Sequence, residues 1–244
     1  MISEEEIFQR TGRLIGAEGL QRLQTASAII FGVGGVGSWC AESLVRSGVR
    51  RLTMVDPDTV QASNINRQLP ATVLTLGRPK VDVLRERLQS INPSALITAL
   101  PEAYSPDNAA GFRLSDYDYV IDAIDSLEAK AHLLRTAADA GARVFASMGA
   151  ALKMDPQKIR VAEFWKVRGC PLAAALRRKF KKQHLFPSRK IHCVYSEELL
   201  PNLGLSAEDP GAKACINGTM AHAVAIFGFT LAGLVVQDIL SREK

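Results

Sequence analysis

Short apolar runs alternate with helical patterns along the first 150 residues of the chain. The runs predicted to be buried strands are 26–31, 51–55, 95–100, 117–123 and 143–147. Between them, apolar residues recur at spacings of three and four, which predicts helices over 35–47, 77–91 and 127–140. This alternation predicts an α/β fold in which helices cover both faces of a mostly parallel sheet.

The pattern changes after Gly149. Strands are predicted at 159–164 and 191–195, a basic helix at 172–182, and a long loop at 197–214. We therefore predict a Rossmann-like, doubly wound domain over 1–150 that begins with a helical arm. Residues 151–244 are predicted to form a C-terminal extension of mixed strands and helices that packs on the same domain.

The stretch 220–240 is apolar and as long as a membrane span. Four polar residues interrupt it: His222, Thr230, Gln237 and Asp238. These interruptions favour a core helix of a soluble protein over a membrane anchor. Residues 1–10 are acidic and do not resemble a leader peptide, so we expect a cytoplasmic protein.

Composition narrows the choice of function only slightly. The hydrophobic content of 47% in 244 residues supports a large buried core. The four cysteines form no CxxC pair, which argues against a zinc site or a redox motif. The net charge of +5 is modest, and its uneven distribution along the chain carries more information.

A glycine-rich loop joins the first predicted strand to the first predicted helix. Gly32, Gly34 and Gly37 have the spacing in which the second glycine lets the backbone approach a phosphate. Asp56 ends the second strand about 20 residues later, at the position that binds a ribose hydroxyl. These residues predict a nucleotide site, which an ATP-using enzyme, a nicotinamide-dependent oxidoreductase or a non-catalytic scaffold could each possess.

A second set of polar residues lies on the same predicted rim of the sheet. Asn64, Asn66 and Arg67 follow the second strand and are suited to gripping a triphosphate, which an oxidoreductase does not need. Lys80 could neutralise charge on a phosphorus under attack. Of the two carboxylates after the fourth strand, we expect Asp125 to hold Mg²⁺ and Asp122 to be structural.

The order of these motifs resembles the ThiF/MoeB/HesA family of adenylating enzymes, which are related to ubiquitin activators. The resemblance covers about residues 10–147. It implies that ATP is contacted by Gly32, Gly34, Gly35, Gly37, Asp56, Ser63, Asn64, Asn66, Arg67, Lys80, Asp125 and Ser126. It also implies catalytic roles for Arg67, Lys80, Asp125 and for Arg13, which would reach into the neighbouring subunit of a homodimer.

The C-terminal half resembles a branch of this family that dehydrates threonylcarbamoyladenosine in tRNA. Members that activate carrier proteins usually have two CxxC pairs, and this chain has none. Its basic segment suits a phosphate backbone and predicts tRNA contacts. The cations are Arg177, Arg178, Lys179, Lys181, Lys182, Arg189 and Lys190.

The resemblance implies ATP and Mg²⁺ as cofactors and a carboxylate of the modified adenosine as the adenylated group. Ring closure would then yield the cyclic nucleoside. The alternative is adenylation of the C-terminus of a small ubiquitin-like sulfur carrier, and whether a sulfur-transfer protein partner cooperates stays open. Gly169 and Pro171 predict an exposed turn around Cys170, where a reactive thiol is conceivable.

Overall fold

The computed structural model describes residues 3–203 and 217–242. The helices in this part of the chain are α1 (Glu4–Ile7), α2 (Gln9–Thr25), α3 (Gly37–Ser47), α4 (Lys80–Ile91), α5 (Leu127–Asp139), α6 (Pro171–Gln183) and α7 (Ala221–Ser241). The strands are β1 (Ser27–Phe31), β2 (Arg51–Val55), β3 (Leu96–Leu100), β4 (Tyr119–Asp122), β5 (Arg143–Ser147), β6 (Ile159–Glu163) and β7 (His192–Ser196). Most of the loop predicted at 197–214 lies outside the described residues, as does Cys215.

The seven strands form one sheet in the order β3-β2-β1-β4-β5-β7-β6. All neighbouring pairs are parallel except β6 and β7, which are antiparallel. β1 and β4 are neighbours in the middle of the sheet. From β1 the chain continues through β2 and β3 to one edge, and from β4 it continues through β5 toward the other edge. This topology confirms the predicted doubly wound fold, and it creates a crevice at the carboxyl ends of β1 and β4.

The strands that follow residue 150 complete the same sheet. β7 pairs with β5 in parallel, with Phe145 opposite His192, and β6 covers the outer edge of β7. The C-terminal part of the chain therefore has no sheet of its own among the described residues. The boundary drawn at residue 150 stays a prediction.

Alternation of side chains along the central strands creates one hydrophobic core on each face. Ala28 and Ile30 of β1 pack in a core shared with α3, α4 and α7. Ile29 and Phe31 point to the opposite face, where α5 and α6 cover them. Burial on both faces is what makes β1 a continuous apolar run in the sequence.

Helix α7 is long and apolar enough to cross a membrane, as judged by its length and composition, and 44% of its most apolar window is buried. It packs closely on α3, because a Cβ atom at Gly228 would lie 2.5 Å from the carbonyl oxygen of Val36. Near its other end, the Tyr119 hydroxyl donates to Asp238 at 2.7 Å. These contacts attach both halves of α7 to the rest of the fold.

The N-terminal arm consists of α1 and α2, and the sequence analysis did not predict the bounds of α2. Ser3 caps the N-terminus of α1 in a capping box, in which the side chains of Ser3 and Glu6 accept hydrogen bonds from each other's backbone N–H groups. α2 follows and is interrupted at Gly16, where φ is 74°. Arg13 lies on the exposed first part of α2, beside Leu14, whose exposed fraction is 85%.

Candidate functional site

A large cleft of about 1030 Å³ lies at the carboxyl ends of the central strands. It opens at the crevice where ligands of doubly wound sheets bind. Most of the residues that were predicted to contact a nucleotide line this cleft. Those that line it are Gly32, Gly34, Gly35, Asp56, Asn64, Arg67, Lys80, Asp125 and Ser126.

The glycine loop takes a shape that side chains would prevent. Gly32 has a φ of 85°, and a Cβ atom there would lie 2.8 Å from the carbonyl oxygen of Ala123. A Cβ atom at Gly37 would lie 1.8 Å from the carbonyl oxygen of Gly32. Both glycines are therefore required for the turn that brings the N-terminus of α3 to the cleft, where a phosphate is favoured.

Asp56 holds the glycine loop and the segment after β2 in place. Its Oδ2 accepts a hydrogen bond from the backbone N–H of Val33 at 2.7 Å, and its Oδ1 accepts from Asp58 N–H at 3.0 Å. Burial raises the pKa of the carboxyl group, while the two backbone donors and Lys80 act in the opposite direction. Each oxygen keeps a second lone pair, so both can also accept a bond from a ribose hydroxyl.

Lys80 is a buried cation at the wall of the cleft. It is the first residue of α4, and its Nζ lies 2.7 Å from Oδ2 of Asp58. A Lys in the first turn is opposed by the helix dipole, and the exposed carboxylate of Asp58 offsets this effect. The arrangement presents a fixed positive charge to the cleft.

Arg67 is held by its own loop. Its guanidinium donates to the Ser63 carbonyl at 2.8 Å and to Asn66 Oδ1 at 2.9 Å, and Trp39 Nε1 donates to the Arg67 carbonyl at 3.2 Å. Ser63 and Asn66 support Arg67 and do not themselves line the cleft. Asn64 lines it while its Oδ1 accepts from Gln61 N–H.

Gln68 directly follows Arg67 and was not among the predicted site residues. Its side chain is buried and faces Gly34, where a Cβ atom would lie 3.5 Å from Gln68 Nε2. Gln68 Oε1 has no hydrogen-bond partner within the described residues. A buried acceptor without a partner is costly, so Gln68 is a candidate to bind a ligand group that enters the cleft.

The two carboxylates after β4 occupy different environments. Asp122 is fully buried with its Oδ2 2.8 Å from Lys130 Nζ, and it accepts from Ile124 N–H at 3.0 Å. Burial raises the pKa of Asp122, and Lys130 opposes that shift. Asp125 is exposed in the cleft and forms no ion pair or hydrogen bond with the part of the chain that the structure describes.

Lys153 lines the cleft and was not predicted from the sequence. Its exposed fraction is 3%, and burial lowers its pKa, while nearby Cys170 and Glu198 act weakly in the opposite direction. An isolated lysine after Leu152 has no sequence pattern that distinguishes it from a surface lysine. Its position adds a second buried cation to a site already suited to an anionic ligand.

Gly169 and Pro171 are exposed as predicted, but the expectation of an accessible thiol between them is wrong. Cys170 has an exposed fraction of 3%, because it precedes α6 and packs in the core beneath that helix. A Cβ atom at Gly149 would lie 3.8 Å from its Sγ. A thiol in this position is not accessible in the described conformation.

The basic segment divides into engaged and exposed cations. Arg177 donates to the carbonyls of Phe164 and Val167 at 3.3 and 2.8 Å, and Lys179 pairs with Glu128. Arg189 donates to the Gly141 carbonyl at 2.9 Å. Arg189 is nevertheless exposed, as are four other cations of the segment, Arg178, Lys181, Lys182 and Lys190.

The sequence profile of the ThiF family matches residues 8–243, nearly the whole chain. The chain belongs to the ThiF family. The resemblance read from five ordered motifs is therefore confirmed. Arg13 and Gly37 do not line the cleft of their own chain, although the family resemblance gave both a role at the site.

Relatives in the ThiF family give the comparison more detail. The tRNA threonylcarbamoyladenosine dehydratase of Haemophilus influenzae is 36% identical over 98% of this chain and 95% of its own length. The crystal structure of the Escherichia coli tRNA N6-threonylcarbamoyladenosine dehydratase in complex with ATP matches with a TM-score of 0.87 at 32% identity, covering 99% of this chain and 97% of that one. Molybdopterin-synthase adenylyltransferase of Escherichia coli is more distant, at 29% identity over 84% of this chain and 79% of its own length.

Proposed function

We propose that the protein dehydrates threonylcarbamoyladenosine in tRNA by an ATP-dependent adenylation. The main observation behind the proposal is that the glycine loop, Arg67, Lys80 and Asp125 line the same cleft. Near-full-length similarity to dehydratases with that substrate supports the choice of carboxylate. The lack of CxxC pairs in the sequence weighs against the sulfur-carrier alternative.

The proposed reaction has two steps that both use the same cleft. A carboxylate oxygen of the threonylcarbamoyl group attacks the α-phosphorus of ATP, and the bond to the bridging oxygen breaks, so pyrophosphate leaves. A nitrogen of the same group then attacks the acyl carbon, AMP departs, and the ring closes with the net loss of one water. Because the attacking groups belong to one side chain, proximity replaces a protein nucleophile.

The chain's own residues supply the electrostatics of the first step. Asp56 positions the ribose, and the N-terminus of α3 receives phosphate oxygens. Arg67 and Lys80 stabilise the negative charge that grows on the phosphorus under attack. The contacts of Arg67 to Ser63 and Asn66 and of Lys80 to Asp58 fix both cations before ATP arrives.

The residues of the cleft fit Mg²⁺. No group of three or more His, Cys, Asp or Glu side chains among the described residues forms a ready-made cage. Mg²⁺ is commonly bound through one or two carboxylates together with substrate phosphates, which matches a single exposed carboxylate at Asp125. The ion would be held by Asp125 and would supply charge neutralisation on the phosphates.

We further propose that the protein is a cytoplasmic homodimer in which Arg13 completes the partner's cleft. Arg13 is exposed, and the adjacent Leu14 places a large apolar side chain in solvent. Such an exposed apolar residue suits a subunit interface. The tRNA would lie along the exposed cations of α6, and α7 would remain a core helix of the soluble protein.

The decisive experiment measures AMP formation from ATP with tRNA that carries the threonylcarbamoyl group and with the same tRNA lacking it. We expect AMP only with the modified tRNA, together with loss of one water from the nucleoside by mass spectrometry. Asp125→Ala should abolish turnover, and Asp139→Ala, at the far end of α5, should not.

Two outcomes would overturn the proposal. One is AMP formation that is equal with and without the threonylcarbamoyl group. The other is adenylation of a diglycine-ended carrier protein in the absence of any tRNA-dependent reaction, which would establish the sulfur-carrier alternative. Full activity of Asp125→Ala would contradict only the assignment of the metal ligand.

A further inference from the structure

Two half-exposed aromatic rings lie side by side near the C-terminal end of α6, with their planes inclined by 49°. Trp165 and Phe186 have exposed fractions of 40% and 48%, and their ring centroids are 5.9 Å apart. Beneath them, Phe164 and Phe180 are buried, with Trp165 lying 5.2 and 6.5 Å from their ring centroids. We call the pair Trp165 and Phe186 the aromatic platform.

The backbone around the platform is fixed from both sides. Glu163 accepts from the N–H of Trp165 at 3.0 Å, and Arg177 binds the carbonyls of Phe164 and Val167. After α6, His184 adopts a left-handed conformation, and the chain turns back so that Leu185 N–H donates to the Phe180 carbonyl at 3.2 Å. The backbone that carries the two rings is therefore held in place, which lowers the entropic cost of binding to them.

Cations surround the platform. Lys166 and Arg168 are exposed on the segment that carries Trp165. Lys181 follows Arg177 by one helical turn, and Arg177 itself contacts that segment, so Lys181 lies on the platform side of α6. The sequence contains no Asp or Glu between Phe164 and Ser196.

Helix α6 connects the platform to the ATP cleft. Pro171 and Leu172, at its first turn, line the cleft. The 13 residues of α6 span roughly 20 Å at 1.5 Å per residue. A polyanion that places one nucleoside in the cleft would therefore bring neighbouring nucleotides to the platform.

From these observations we infer that the aromatic platform stacks unpaired bases of the RNA substrate while the flanking cations bind its backbone. The inference rests on the proposed function for the identity of the RNA. Exposed aromatic rings combined with cations are the usual means of binding unpaired bases, because every base offers a stacking face and every linkage a negative charge. A protein partner could also use exposed aromatic rings, but the cations around the platform outnumber the single carboxylate beside it, Glu163, and this excess of positive charge favours a polyanion.

The test uses the full-length protein and three variants: Trp165→Ala, Trp165→Phe and Phe186→Ala. With threonylcarbamoyl-bearing tRNA, we expect Trp165→Ala to raise the KM for tRNA about 10-fold with little change in kcat, and Phe186→Ala to raise it less. Trp165→Phe should keep the KM near that of the wild type, because phenylalanine also stacks. Leu74→Ala serves as the control, since Leu74 is 88% exposed and belongs to the segment before α4.

Tryptophan emission provides a readout that a purely structural role would not change. Stacking of a base on Trp165 should quench the emission of the wild type when tRNA is added, and Trp165→Phe should lose that component while still binding. Stabilisation of each variant by ATP in thermal unfolding verifies that the cleft is intact.

The outcomes separate this inference from the proposed function. If the wild type forms no tRNA-dependent AMP, the proposed function fails, and the quenching by tRNA still reports on stacking. If AMP formation depends on tRNA but Trp165→Ala keeps both its KM and the quenching, the platform does not bind bases. If Trp165→Ala changes the oligomeric state in light scattering and leaves tRNA affinity unchanged, the rings form a protein interface and the inference is overturned.

Discussion

Lys80 Nζ lies 2.7 Å from Asp58 Oδ2, in an ion pair whose lysine side chain is 5% exposed and whose carboxylate is 63% exposed. The lysine is thus withdrawn from bulk water and still accessible to the cleft, which strengthens its effect on a phosphate. We expect Lys80→Met to lower kcat/KM for AMP formation by about 10²- to 10³-fold. Arg85→Met removes a cation from the same helix away from the cleft and should leave AMP formation unchanged.

The proposed cross-subunit role of Arg13 predicts complementation between two inactive variants. Arg13→Ala and Asp125→Ala should each be inactive alone. In a mixed dimer, the cleft of the Arg13→Ala chain retains Asp125 and receives the arginine of the other subunit. Random exchange of subunits should therefore restore about a quarter of the wild-type sites. No recovery of AMP formation after verified subunit exchange would place Arg13 outside the partner's site.

Two lysines of α6 should differ in their effect on tRNA. Lys181 is exposed, whereas Lys179 is paired with Glu128. Lys181→Ala should weaken tRNA binding at every sequence and lower the slope of log affinity against log salt by about 1. Lys179→Ala should change that slope much less. Equal slopes for the two variants would show that the ion pair does not decide which cation meets RNA.

The glycine loop and α7 provide a matched pair of glycine substitutions. Gly37→Ala places a methyl group 1.8 Å from the Gly32 carbonyl oxygen, so the loop must shift, at a cost of at least ~2 kcal/mol in the free energy of unfolding. Gly233 lies within α7 with no atom within 4 Å of the added methyl group. Gly233→Ala should stabilise the protein by up to about 1 kcal/mol. Urea unfolding measures both changes, and similar effects would contradict the close approach at Gly37.

Burial of Lys153 predicts a pH-dependent cost of folding. Its pKa is lowered in the folded protein from an unfolded value of 10.5, chiefly by burial, so between the two values the unfolded chain binds more protons. The stability of the wild type should therefore rise with pH through that window. Lys153→Met lacks this dependence and should be the more stable protein near neutral pH, by roughly 1.4 kcal/mol per unit of lowering.

The measurement compares the free energies of unfolding of the two proteins at about pH 7 and about pH 10, so that groups common to both cancel. The advantage of Lys153→Met should shrink as pH rises. A constant difference would show that Lys153 titrates alike in the folded and unfolded chains.

Local sequence patterns predicted the central strands well because these strands are buried on both faces. Arg51–Val55 and Arg143–Ser147 were bounded correctly, since each begins at an arginine that precedes a short, mostly apolar run. The bounds of α2 were not predicted, because three glycines, at positions 12, 16 and 19, weaken its helical pattern. Its stability comes from packing, as at Gly19, where Leu240 of α7 lies close.

The site was predictable only where its residues belong to ordered motifs. Asp56 and Lys80 were found because they occur at fixed places after a strand and at a helix start. The burial of Lys153, and which residues of the basic segment have partners, depend on contacts between distant parts of the chain. Arg189 meets the Gly141 carbonyl, and Lys179 meets Glu128, and no local pattern encodes such pairs.

Val224 of α7 lies against Gly35 of the nucleotide loop, and α7 follows every other described element in the chain. The seven strands of the sheet are therefore synthesised before the helix that supports this loop. The nascent chain can form its sheet early, but its nucleotide pocket is complete only after α7 packs against the glycine loop. We therefore expect a chain truncated before residue 221 to retain the strands but to be unable to use ATP.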